Sequence, residues 1–282
     1  MTPSKDHKSE NFPVASWLIA ARHRLLVLAF YRFARTADDI ADASGGDAPE
    51  RLARLEAMRA ALTGEGHGAP AATVLREVLA ERGLGNIHAL DLLAAFRQDC
   101  VKSRYATWDE LIDYCRWSAM PVGRFMLDVH GEARATWAAS DALCAALQVI
   151  NHLQDARKDY AAMDRVYIPA DTLAAAGLDA TALANASPAL AGVIRSLLPR
   201  VDALLADAAP FARQIADTGL ALEVAAIHAL AVDLTARLRT DPFGVRLHHG
   251  KAAALRVALP AIGALALRRF AVKLTRTAGG TP

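Results

Sequence analysis

Apolar residues recur at helical spacing along nearly the whole chain, and this pattern constrains the fold more than any other feature. Alanine and leucine dominate, while runs of Val, Ile and Thr at period two are scarce, which excludes an all-β sandwich or barrel. The spacing predicts helices over 13–30, 31–43, 50–62, 71–82, 87–101, 109–129, 137–160, 188–216, 219–239 and 252–273. Breakers fall between them, among them 44–49, the glycine-rich 63–70, Gly131, and Ala186-Ser187-Pro188. No linker is long or polar enough to separate one domain from another. With 54% hydrophobic residues the chain can bury a large core. The expectation is one all-α domain over residues 1–282, a helical bundle with flexible ends at 1–10 and 274–282.

Charge is unevenly spread. From Arg237 onward there are nine Lys/Arg against one acid, Asp241, while the remainder is mildly acidic. A basic end suits an anionic surface. The stretch from Arg256 to Lys273 reads as a packed terminal helix, with an interfacial anchor as the alternative. A nucleic-acid role is not expected, because the basic end is mostly apolar and holds no reading helix. Val257 to Leu267, the longest uninterrupted candidate for insertion, falls short of the roughly 20 apolar residues that span a bilayer. Three cysteines, Cys100, Cys115 and Cys144, have no CxxC spacing, which fits a reducing, cytoplasmic compartment.

Two acidic patterns are attached to apolar helices. Asp38, Asp39 and Asp42 follow directly on Leu25 to Phe30, and Asp38 and Asp42 share a face. Asn151, Asp155 and Asp159, each four apart, form an oxygen-bearing strip about 12 Å long at 1.5 Å per residue. Buried carboxylates must be paired or bind a cation. Facing strips of this kind would make an oxygen-only site for Mg²⁺, with Mn²⁺ as a substitute, shared with a phosphate or diphosphate. Arg35, Lys158 and Arg165 are the nearby candidates for phosphate oxygens.

These residues resemble the squalene/phytoene synthase family. Asp38-Asp39-Ile40-Ala41-Asp42, preceded by Arg35, is similar to its first aspartate-rich motif, and Gln148, Asn151, Asp155 and Asp159 are similar to its second. Tyr114-Cys115 leading to Val122-Gly123 resembles the segment between them. Within the family, Ser118-Ala119-Met120-Pro121-Val122-Gly123 and Asp164-Arg165-Val166-Tyr167-Ile168-Pro169 look most like the bacterial hopanoid-pathway hydroxysqualene synthases. Lys158 departs from the wider family, where an acid commonly stands.

The resemblance implies an isoprenoid-synthase fold with a central apolar cavity, a presqualene diphosphate substrate and hydroxysqualene as product; NADPH is not expected, because Gly64-Glu65-Gly66-His67-Gly68 does not fit a dinucleotide cradle. It implies Tyr114, Arg35, Asp38 and Asp42 as catalytic residues. Arg35, Tyr31, Gln148, Asn151, Lys158, Arg165 and Tyr167 are expected to bind substrate. Asp38, Asp39, Asp42, Asn151, Asp155 and Asp159 are expected to bind metal. Competing expectations are head-to-head condensation of two prenyl diphosphates, giving squalene or phytoene, and a non-catalytic helical assembly factor. Peripheral contact with the inner membrane and partner enzymes of the same pathway complete the expectations. His152 points away from the acidic strip and is expected to be satisfied or exposed, and His248-His249 to lie in a solvated basic loop.

Overall fold

In the computed structural model the described residues are 20–43, 47–244 and 249–278, with side chains to 272. They form twelve α-helices: α1 (Ala21–Ala41), α2 (Ala48–Thr63), α3 (Pro70–Glu81), α4 (Ile87–Asp99), α5 (Trp108–Ser118), α6 (Met120–His130), α7 (Trp137–Met163), α8 (Ala170–Ala175), α9 (Pro188–Ala208), α10 (Phe211–Gln214), α11 (Thr218–Thr240) and α12 (Lys251–Ala278). The expected terminal segment 1–10 lies outside the described residues, and α12 runs on to Ala278.

The breakers do local work. Asp47, Thr107, Ser187 and Asp217 each accept a backbone N–H of the first turn, capping α2, α5, α9 and α11. Gly64 and Gly131 end α2 and α6 in the left-handed region, where a side chain would be strained.

Three expectations need correction. The region 31–43 is not a separate helix: the apolar run of α1 continues straight into the first acidic motif. The helix expected over 109–129 is two, because Pro121 cannot donate to the preceding turn and stands in the first turn of α6. The helix expected over 188–216 ends at Ala208, ahead of Pro210. Pro199 and Pro260, by contrast, sit inside α9 and α12.

Two apolar clusters form the core. One gathers Phe33, Leu26 and Ile40 of α1 with Leu55, Leu62, Leu75 and Leu92 of α2–α4. The other gathers Val149 and Ile150 of α7 with Ile194, Leu198, Ala221 and Leu234 of α9 and α11. The face of α1 around Phe30 meets α6 by stacking on Phe125, at 3.8 Å between ring centroids. A single parallel bridge, Arg104 with Val166, joins the segment after α4 to the segment after α7. It holds Arg165 and Tyr167 beside the end of α4, and this decides the site.

Among the described residues α11 is the one helix long and apolar enough to cross a membrane by length and composition. This corrects the choice of Val257 to Leu267, but α11 contributes Leu220, Ala221 and Leu234 to the core.

The approach of α6 to α7 depends on Gly123. A Cβ there would collide with Ser140 Oγ and lie 2.6 Å from Cys144 Sγ, and Ser140 is fully buried. Gly123→Ala is expected to cost about 1–3 kcal/mol by overpacking, read by denaturant unfolding, and Gly123→Ala/Ser140→Ala to recover some of the loss.

His23, buried against His130, is pushed from the ordinary 6.5 down to about 4 by burial first, then by His130, Arg22 and Arg82. The folded state therefore favours the neutral ring. Its contribution to stability is complete above pH 6.5 and falls as the pH drops towards 4. Unfolding titrations should show that decline, and His23→Gln should flatten it.

Candidate active site

The site lies between the two apolar clusters. A cavity of about 460 Å³ is walled by Val27, Phe30 and Ala34 of α1, Phe125 and Met126 of α6, Leu143 and Leu147 of α7, and Leu220, Val224 and Ile227 of α11. Its polar end carries Arg35 and Asp38 from α1 and Gln148 and Asn151 from α7, with Tyr31 one turn inward. Asp38 to Val27 spans eleven residues of α1, about 16 Å at 1.5 Å per residue. Asn151 to Ser140 spans the same length of α7. The two motifs therefore open onto one end of one apolar channel.

The acids are crowded and partly desolvated. Asp38 is pushed up to about 7, by burial first and then by Asp42, against the pull of Arg35. Asp159 is pushed up to about 6 by burial and Asp155, with Asp42 adding to it from across the gap. Arg165, whose backbone N–H donates to the Asp159 carbonyl and whose guanidinium donates to Asp42, joins the ends of the two strips. Arginines supply the compensating charge. Arg35 reaches Asp38 at 2.6 Å and Asp39 at 2.9 Å. Arg165 donates to Asp42 Oδ1 at 2.9 Å and to the Asp99 carbonyl at 3.2 Å. Burial opposes the charge on Arg165, but Tyr167, Asp99 and Asp42 outweigh it and keep the guanidinium firmly protonated.

Behind the acids is an aromatic wall. Tyr114 donates its hydroxyl to Asp99 Oδ2 at 2.9 Å. Its ring lies 5.2 Å from that of Tyr105 and 5.7 Å from that of Tyr167. Tyr167 accepts from Arg165 at 3.5 Å. Burial raises the Tyr114 phenol well above its ordinary range, and the Asp99 charge adds to that, so Tyr114 stays protonated. His152 departs from expectation: it is buried and stacked on Tyr167 at 3.4 Å between centroids. Burial, then Arg165, lowers it to about 3, so it is a neutral wall. His249 also departs, being paired with Asp233 at 2.7 Å and nearly buried, while His248 lies outside the described residues.

Asp99 and Tyr105 were missed by sequence reading. Asp99 is pushed up to about 6 by burial, against Arg165 and the Tyr114 hydrogen bond. As a lone acid at the end of α4 it carries no motif; only Tyr114 fifteen residues on and the bridge at Val166 give it a role. Lys158 is two-thirds exposed and lies 3.8 Å from Asp155 Oδ1, at the rim and away from the channel wall. Asp39 is turned to Arg35.

Among the described residues no three His, Cys, Asp or Glu side chains converge closely enough to hold an ion by themselves. The donor chemistry nonetheless fits a hard cation. Asp38, Asp42, Asn151, Asp155 and Asp159 offer oxygen ligands, and Asp38 and Asp159, pushed up by burial and by neighbouring acids, gain from added positive charge. Such a cation would take its remaining ligands from water and an anionic substrate.

A family model for squalene/phytoene synthases matches residues 5–260. The chain is 54% identical over 247 residues to the hydroxysqualene synthase of Rhodopseudomonas palustris, covering 86% of this chain and 85% of that protein. It is 49% identical over 266 residues to the hydroxysqualene synthase of Zymomonas mobilis, covering 93% and 90%. The crystal structure of squalene synthase HpnC from Alicyclobacillus acidocaldarius superposes with a TM-score of 0.72 at 31% identity, covering 84% of this chain and 90% of that one. A dehydrosqualene synthase solved with a ligand superposes at 0.76 with 20% identity, covering 91% and 92%, a likeness of fold alone.

Arg165 links both strips to the aromatic wall, and its removal tests that reading. Arg165→Met leaves Asp42 and the Asp99 carbonyl without their cation and is expected to cost about 3 kcal/mol in chemical unfolding, at the low end for a broken buried pair because Asp42 is one-third exposed.

Proposed function

The chain belongs to the squalene/phytoene synthase family, and on that premise we propose that it ionises presqualene diphosphate and captures the rearranged cation with water, giving hydroxysqualene and diphosphate. The observation that carries the reading is the shared channel: Asp38 of the first motif and Asn151 of the second stand at one end of a cavity whose walls are mostly apolar. Relatives bearing the hydroxysqualene synthase name at about half identity over most of the chain support the product.

Asp38, Asp42, Asn151, Asp155 and Asp159 are the residues that would hold Mg²⁺, or Mn²⁺ in its place. The chemistry Mg²⁺ supplies in an oxygen site of this kind is Lewis-acid withdrawal of charge from a diphosphate leaving group. Arg35 and Arg165 donate to the departing oxygens, which they can do without reorganising because the acids already fix both side chains. Gln148 and Asn151 offer amide groups at the same end, and Lys158 adds charge at the rim.

Carbon–oxygen cleavage leaves a cyclopropylcarbinyl cation just inside the channel. Tyr114, held by its bond to Asp99 behind the polar end, is the aromatic ring that would stabilise it. Phe30, Phe125, Leu143 and Leu147 exclude other nucleophiles while the cation rearranges. One water then forms the new C–O bond and gives up a proton. No hydride is consumed, so NADPH is not required. We place the chain in the cytoplasm, where Cys100, Cys115 and Cys144 stay free thiols, working beside enzymes of the same isoprenoid sequence.

Purified protein given presqualene diphosphate and Mg²⁺, without NADPH, is expected to yield hydroxysqualene by mass spectrometry. Efficient formation of presqualene diphosphate from farnesyl diphosphate alone would return the reaction to head-to-head condensation. Asp38→Asn and Asp155→Asn are each expected to lower turnover by at least about a hundredfold while the far-ultraviolet dichroism is unchanged, since these acids serve the leaving group and not the core. EDTA is expected to abolish product formation and added Mg²⁺ to restore it.

A further inference from the structure

Beyond its polar end the cavity wall is mostly hydrocarbon, and one acid interrupts it. Among the described residues that line the cavity, three carry charge: Arg35, Asp38 and Glu223. The first two belong to the polar end. Glu223 comes from α11, on the stretch from Leu220 to Ile227 that forms one side of the wall. Only 6% of it is exposed.

Its position along the cavity follows from α11. Asp217, which caps that helix, lies 3.8 Å from Arg22, at the opposite end of α1 from Asp38. Glu223 stands six residues further on, about 9 Å at 1.5 Å per residue, and midway between Leu220 and Ile227. It therefore faces the part of the cavity that takes the hydrocarbon skeleton. The hydroxyls of Ser118 and Ser140 line the same cavity. A hydrocarbon offers none of these groups a hydrogen bond, whereas a water molecule does. The reaction set out above needs such a water, and needs something to take its proton.

Resting on that reaction, we propose that Glu223 holds the water that captures the rearranged cation and accepts its proton. The water oxygen forms the C–O bond with a lone pair. One O–H bond breaks, its electron pair stays on oxygen, and the proton passes to a carboxylate oxygen of Glu223. The acid gives the proton to solvent when the product leaves. Without this acceptor the cation is discharged in a different way: an adjacent carbon loses a proton to the departed diphosphate, and a hydrocarbon polyene forms. Glu223 thus decides the fate of the cation, and the polar end decides its formation.

The test is the ratio of alcohol to hydrocarbon product, read by mass spectrometry after the full chain is given presqualene diphosphate and Mg²⁺. The ratio reports what becomes of the cation at whatever rate it forms. Glu223→Gln keeps the shape of the side chain but cannot take the proton, and is expected to lower the ratio at least about tenfold. Glu223→Met fills the same space without a polar group, which a buried wall tolerates, so it serves if the first variant fails to fold; the same fall is expected. A ratio unchanged in a folded variant overturns the role of Glu223. Loss of fold, or of all product, in both variants makes Glu223 structural and overturns it too. A wild-type chain that forms no hydroxysqualene overturns the reaction itself, so the two failures are told apart in one assay.

Discussion

Carboxylates of like charge held at the mouth of an apolar channel are unstable neighbours, and much of this site is arranged to compensate them. Asp38 and Asp159 lose water while Asp42 and Asp155 stand beside them. Arg35 answers within α1, but Arg165 comes from beyond the end of α7, more than a hundred residues later in the chain. The pair between Arg165 and Asp42 therefore ties the half of the molecule built on α1 to the half built on α7.

The aromatic wall follows from the same constraint. Tyr114, Tyr167 and Tyr105 cluster around Asp99, whose carboxylate accepts from Tyr114 and whose carbonyl accepts from Arg165. One short acidic residue thus holds both the Tyr114 ring, buried among the other aromatics, and the guanidinium that faces the acids. His152, stacked and held neutral by burial beside Arg165, adds apolar surface without adding charge. The result is a gradient along the cavity, with Arg35, Asp38, Gln148 and Asn151 at one end and mostly hydrocarbon, with Glu223 and Ser140, beyond it. A carbocation survives only where water is admitted selectively, and such a gradient is what separates the leaving group from the carbon skeleton.

The helical spacing of apolar residues determined the class of the fold, because period 3.6 leaves no face for a strand to bury. Spacing also placed Asp38 with Asp42, and Asn151 with Asp155 and Asp159, on single helix faces, since helix geometry is local. Asp47 and Ser187 were legible as breakers, and the structure shows them capping α2 and α9. Helix ends at Pro121 and Pro210 were misjudged, because apolar periodicity runs through a break that only the missing N–H imposes.

Only the tertiary structure decided that Asp38 and Asn151 open onto one cavity, that Arg165 pairs with Asp42, and that Asp99 matters at all. Each depends on contacts between segments far apart in the chain, and neither spacing nor composition carries the direction in which two distant helices meet. The outward face of α12 belongs to the same class. Leu255 and Leu265 are alike as letters, and only packing against α11 makes one exposed and the other buried.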